Sequence, residues 1–168
     1  MVGDPRVWQS GRGGLFIDDA VISFQRYLCP SDKFVGEAPS SHGALPIAPE
    51  GDHYLLPLPD QEAFWVGIIL PKVWNRRKLH FTAMQADGSV LVSEQFTRPG
   101  MSVVTGIKRS DGQFDVFRPE LVSELLLTSA GGIARVVVCD PRTFVVRTGQ
   151  AAPETFDPDA AFGGWRLP

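Results

Sequence analysis

Leu58-Pro59-Asp60-Gln61-Glu62-Ala63-Phe64-Trp65-Val66-Gly67-Ile68-Ile69-Leu70-Pro71-Lys72 is the stretch that decides the fold class of this chain. Proline and charge stop at Glu62, and a nearly unbroken apolar run follows over residues 63–70. That length fits a strand, and Phe, Trp, Val and Ile suit a pleated surface packed on both faces. A membrane-spanning helix needs ~20 such residues, so no span is expected. The run reads as a central strand with a large core around it.

The neighbouring segments repeat the two-residue period. In residues 20–28, Ile22 and Phe24 fall on one face and Ser23 and Gln25 on the other, which predicts a half-buried strand stopped by Pro30. Residues 53–58 read as a short strand leading into the central run. In 78–85, Leu79, Phe81 and Ala83 alternate with Lys78, His80 and Thr82. Asp87-Gly88 joins that run to 89–96, and Asp111-Gly112 joins 102–109 to 113–117. Asp-Gly between alternating runs is a strong hairpin signal, because both residues tolerate positive φ. A third hairpin is expected between 134–140 and 143–147, with Pro141 in its turn.

Segment 119–128 reads two ways. Pro119 can start a helix carrying Leu121, Val122, Leu125 and Leu126 at helical spacing, and 124–128 can equally be a strand. Eight to ten short strands with tight turns define an all-β fold, a single antiparallel β-sandwich or flattened barrel with at most one short helix.

Three regions follow from composition. Residues 1–19 are a glycine-rich N-terminal arm, with Asp18-Asp19 marking a turn. No Lys-Ser or Lys-Thr follows those glycines, so they form no phosphate loop. Residues 20–149 are the sandwich or barrel domain, with a long loop over 31–52 holding Pro39, Gly43, Pro46 and Pro49. Residues 150–168 form a tail with Phe156, Phe162 and Trp165, too aromatic for a disordered segment. Its expected place is against the domain or a neighbouring copy.

The chain has 168 residues, which suits one domain able to bury roughly 70% of its extended surface. A net charge of −3 gives no general attraction to polyanions, so nucleic acid is not an expected partner. Cys29 and Cys139 are the only cysteines, and secreted small domains carry more. Two free thiols in a reducing compartment are expected, a disulfide between them being the alternative. Met1-Val2-Gly3-Asp4-Pro5-Arg6 shows no basic region followed by an apolar one, so the expected location is the cytoplasm.

Leu58-Pro59 followed by Glu62-Ala63-Phe64-Trp65 resembles a Leu-Pro-x-x-x-x-Glu-Ala-x-Trp element of an uncharacterised family of bacterial and fungal proteins. Val21-Ile22-Ser23-Phe24-Gln25-Arg26 is similar to a segment upstream of that element. The resemblance implies no activity, substrate or catalytic residue. The basic cluster at 75–78 departs from the family's mostly apolar continuation.

Chemistry-bearing constellations are sparse. His42, His53 and His80 share no ligand spacing and the cysteines form no Cys-x-x-Cys, so no metal or cofactor is expected. His80 and Glu94 are positioned to meet across a hairpin, and they mark the place for an enzyme's site if there is one. No Gly-x-Ser-x-Gly elbow occurs. Glu62 is expected to cap or hydrogen-bond the loop before the central strand. Trp65 is expected in the core. Trp74, beside Arg76 and Arg77, is expected to be exposed, where an aromatic next to cations can stack on a sugar or a partner. The role expected from these features is non-catalytic: an interaction or assembly protein touching a protein partner or its own copies through Trp74, Arg76, Arg77, Phe162 and Trp165. The alternative is a β-sandwich module binding a small ligand or carbohydrate, on fold analogy alone.

Overall fold

In a computed structural model the chain is described over residues 8–11, 13–72, 74, 78–129 and 132–154. In chain order the strands begin with β1 (Gln9–Gly11), β2 (Gly14–Ile17), β3 (Ala20–Leu28), β4 (Phe34–Val35), β5 (Ala48–Glu50), β6 (His53–Pro57) and β7 (Glu62–Leu70). They continue with β8 (Leu79–Met84), β9 (Val90–Phe96), β10 (Gly100–Val104), β11 (Ile107–Lys108), β12 (Phe114–Asp115), β13 (Glu124–Ser129) and β14 (Gly132–Cys139), followed by a helix α1 (Pro141–Thr148). One sheet runs β1-β2-β3-β7-β10, a second runs β5-β6-β14-β13-β8-β9, and a small one runs β11-β12-β4. Every pairing is antiparallel except β6 with β14. The fold is all-β and sandwich-like, with no closed barrel. No helix among the described residues is long and apolar enough to cross a membrane.

The central run forms β7, buried along nearly its whole length on both faces. Phe64, Val66 and Ile68 turn toward the second sheet with Ile22 and Phe24 of β3. Phe117 links the layers: its ring stacks on Phe64 at 5.3 Å and lies 6.2 Å from Phe81 of β8. Ala63 and Trp65 face the other way, with Tyr27 and Val116. Aromatic pairs at these separations add about 0.5–1.5 kcal/mol beyond their buried area.

β3 departs from the half-buried expectation, since Ser23 and Gln25 are fully buried. The cause is the 31–52 segment. β2 is shorter than β3 and pairs only with residues 20–23. Beyond its end, residues 42–45 take over the free edge: Arg26 N donates to Gly43 O at 2.9 Å, and Leu45 N donates to Phe24 O at 2.8 Å. The same segment covers the outer face, where Ser41 Oγ donates to Gln25 Oε1 at 2.5 Å and Trp65 Nε1 donates to Pro39 O at 2.9 Å. The expected long loop is therefore fixed as a cover.

Within the region read as the 1–19 arm, the described residues include two strands. β1 and β2 belong to the first sheet, and Asp18 and Asp19, with φ of 46° and 67°, make the tight turn into β3. Trp8 is buried and its Nε1 donates to Gly132 O at 3.1 Å.

The Asp87-Gly88 hairpin forms as expected, β8 with β9; the Asp111-Gly112 hairpin forms only over β11 and β12, because the expected 102–109 strand breaks and its first part joins β7 as β10. The third does not. Asp140 caps α1 instead, accepting from Thr143 N at 2.8 Å, with Pro141 in the first turn and Gly149 closing the helix at φ 71°. Pro141 suits both a turn and a first helical turn; the Asp140 side chain decides for the helix. Segment 119–128 divides: Leu121 N and Val122 N both bond Arg118 O in a turn, and β13 follows from Glu124. Residues 155–168, where the tail was expected to pack, lie outside the described residues.

Candidate interaction surface

β9 and β10 are consecutive strands in different sheets, and each is the last strand of its sheet. β9 pairs only with β8, through the Asp87-Gly88 turn, where Ser89 N donates to Asp87 Oδ1 at 2.8 Å. β10 pairs only with β7. The connection over 97–99 thus carries the chain between layers at one side of the sandwich, and two unpaired edges end up side by side.

An unpaired edge is a template for another chain, and proteins blunt it with charge, proline, bulges or shortness. The opposite side is blunted: β1 and β5 are three residues each, and β5 contains Pro49. β9 is longer, with Glu94 and a register shift at Ala83/Met84 as its protection. β10 reads Gly-Met-Ser-Val-Val, without charge or proline. Val90, Met101 and Val103 stand 59%, 64% and 42% exposed.

Between these edges lies a groove of ≈ 390 Å³. Val92 and Val103 form its walls, and Ile107 and Phe114 of the small sheet close its floor. Gly106 lets that floor approach: a Cβ there would stand 2.2 Å from Asp115 O. Glu94 and Lys108 supply the polar lining.

The expected site residues fall elsewhere. Trp74 is 1% exposed and belongs to the main core, which corrects its placement on the surface. Trp74 N donates to Pro71 O at 3.0 Å, so the chain turns back after β7 and sends the ring inward. Arg76, Arg77, Phe162 and Trp165 lie outside the described residues. His80 and Glu94 do not meet. Glu94 is the cross-strand partner of Phe81, so it shares the inner face, while His80 lies outside with its Nε2 2.7 Å from Ser93 Oγ.

A second cleft, of ≈ 380 Å³, opens beside Cys29, Lys33, Glu62, Arg118 and Glu120. Its ionic groups are mutually engaged: Glu62 with Arg26 at 2.6 Å, and Glu120 with Arg118 at 2.9 Å and Lys33 at 3.4 Å. Cys29 and Cys139 are free thiols. Burial first, then Glu120, pushes the Cys29 thiol up; burial and then Asp140 push Cys139 up to about 11. Both thiols hold their protons at neutral pH, so neither is an activated nucleophile. Among the described residues, no three His, Cys, Asp or Glu side chains are grouped to hold a metal ion.

No family model matches this chain, and no curated protein and no solved structure matches it.

Proposed function

We propose that this protein is a non-catalytic interaction or assembly protein whose docking surface is the paired β9 and β10 edges. One observation carries the reading: two adjacent sheet edges, one without charge or proline, expose Val90, Met101 and Val103 and flank a groove of mixed polar and apolar lining, while the opposite side is blunted. Strand addition to such an edge satisfies backbone groups and fills a groove with alternate side chains. A stable interface needs about 800 Å² from each partner, more than the groove alone, so the flanking strand faces take part. The two free thiols suit a reducing compartment, the cytoplasm in this reading. The carbohydrate alternative rested on an exposed Trp74, and that ring is 1% exposed.

The test is the assembly state of the Val103→Glu and Met101→Lys variants, each with its melting temperature measured beside the parent's. Loss of self-association at unchanged stability supports the edge as the interface. Association that ignores both substitutions removes it.

A further inference from the structure

β7 shows which backbone groups β10 leaves free. Phe64 N donates to Phe117 O at 3.1 Å, away from β3, so the even-numbered residues of β7 turn their backbone groups toward the β10 side. In the β7–β10 register Val66, Ile68 and Leu70 stand opposite Val104, Ser102 and Gly100. Those three therefore bond β7, and Met101 and Val103 direct their N–H and C=O groups to the open edge. The Met101 and Val103 side chains are exposed on the outer face, while Ser102 shares the inner face with Ile68.

Resting on the edge reading above, we propose that the strand added to β10 is β10 of a second copy, antiparallel about a two-fold axis through Ser102. In that register Met101 faces Val103 of the second copy and Val103 faces its Met101, and both are hydrogen-bonded pairs. Each of these residues gives one bond and takes one, about four in all, and no free group of the edge is left over. Ser102 meets its own copy at the axis in a non-hydrogen-bonded pair, where strands come nearest, with Cα atoms ~4.5 Å apart. A small hydroxyl side chain suits that point and can bond its twin. An axis at Met101 instead puts Pro99, which has no N–H, opposite Val103; an axis at Val103 puts Thr105, past the end of the strand, opposite Met101.

The symmetry of the edge favours a second copy over a foreign strand. Its two outward residues are apolar, uncharged and equally spaced about a small one, so identical edges meet without a like-charge pair. The outer-face row Phe16, Val21, Ile69 and Met101, one each from β2, β3, β7 and β10, continues onto Val103 of the second copy. β9 is the better protected edge, by Glu94 and its register shift, so β10 carries the pairing. The pairing is also bounded. Gly100, at φ 119°, turns the chain at one end, and Val104 ends the strand at the other. A two-fold contact uses the same patch on both copies, so assembly stops at the dimer.

The experiment is sedimentation velocity of the full chain over a concentration series. A strand edge lies at the small end of interface sizes, so a dimer that dissociates in the micromolar range is expected. Val103→Pro removes an N–H that faces away from β7, which a sheet edge tolerates. It should weaken the dimer at least ~10-fold at unchanged melting temperature. If it lowers the melting temperature, Met101→Lys takes its place. Ser102→Cys reads the register. Mild oxidation should link it to its own copy, because ~4.5 Å between Cα atoms is within disulfide reach. Met101→Cys and Val103→Cys should each link poorly alone and well when mixed, and the parent should not link. A parent that stays monomeric at about 1 mM overturns the proposal and leaves the edge reading to a foreign strand. A dimer that survives both Val103→Pro and Met101→Lys overturns the proposal and the edge reading together. If the dimer is lost in those variants but Met101→Cys or Val103→Cys links to itself and Ser102→Cys does not, the edge reading survives and this pairing falls.

Discussion

Arg26 grips Glu62 with two hydrogen bonds, Nε to Oε1 at 2.6 Å and Nη2 to Oε2 at 2.7 Å, and both side chains are buried. Arg26 lies near the end of β3 and Glu62 opens β7, on the same face as Phe24 and Phe64. The pair therefore closes one end of the core, where an apolar strand meets the turn before it.

Removing one partner breaks a buried charge pair. Glu62→Gln and Arg26→Ala are each expected to lower stability by about 3–5 kcal/mol. Arg26→Met with Glu62→Leu should recover most of that loss. Urea unfolding of the three variants decides: additive losses in the double variant contradict a buried, mutually dependent pair.

Trp74→Ala is expected to cost about 3–5 kcal/mol, comparable with Trp65→Ala. The two rings sit in different clusters, Trp74 in the main core and Trp65 beneath the 31–52 cover. Trp74 fluorescence, read in a variant lacking the other tryptophans, should be blue-shifted and resist acrylamide quenching. Ready quenching would return Trp74 to the surface.

Gly106→Ala drives a Cβ into backbone, 2.2 Å from Asp115 O. The β11–β12 hairpin must shift to admit it, at about 1–3 kcal/mol. Amide exchange should quicken at Ile107 and Phe114 before it does in β7. Equal protection in variant and parent would contradict the close approach.

Cys139 carries a pH signature. Its thiol is held at about 11 in the folded chain against an ordinary 9.0. Unfolded chains release that proton first, so stability is full below the ordinary value and falls as pH climbs toward about 11. Alkylation at neutral pH should be slow, and Cys139→Ala should flatten this part of the stability profile. An unchanged profile in the variant would assign the alkaline loss to other groups.

Legibility in the sequence followed locality. β7, β8 and the two Asp-Gly hairpins were readable because a two-residue period and a turn dipeptide need no distant partner. The outer face of β3 looked polar because Ser23 and Gln25 are polar; only the covering segment, bonded to Gln25 through Ser41, makes that face interior. Trp74 was misplaced for a related reason. Cations beside it suggest solvent, but the Pro71 turn and the depth of the core determine where the ring goes. At 140–141 the reading followed Pro141, which admits a hairpin turn as readily as a first helical turn, and passed over the Asp140 side chain that caps α1. The groove was beyond reach, since which strand ends a sheet is a property of topology. Only the lack of charge in Gly100–Val104 hinted at it.

The parallel pairing of β6 with β14 sets a timetable. It joins Tyr54 to Val136 and Pro57 to Cys139, partners ~80 residues apart, and without it β5 and β6 are severed from the rest of their sheet. At a ribosome adding ~5–20 residues per second, β6 waits about 4–16 s for its mate. During that wait Leu55 and Leu56, fully buried in the finished fold, have no covering strand. The nascent chain is most vulnerable to aggregation in this interval, and chaperone demand should peak there and fall once β14 emerges.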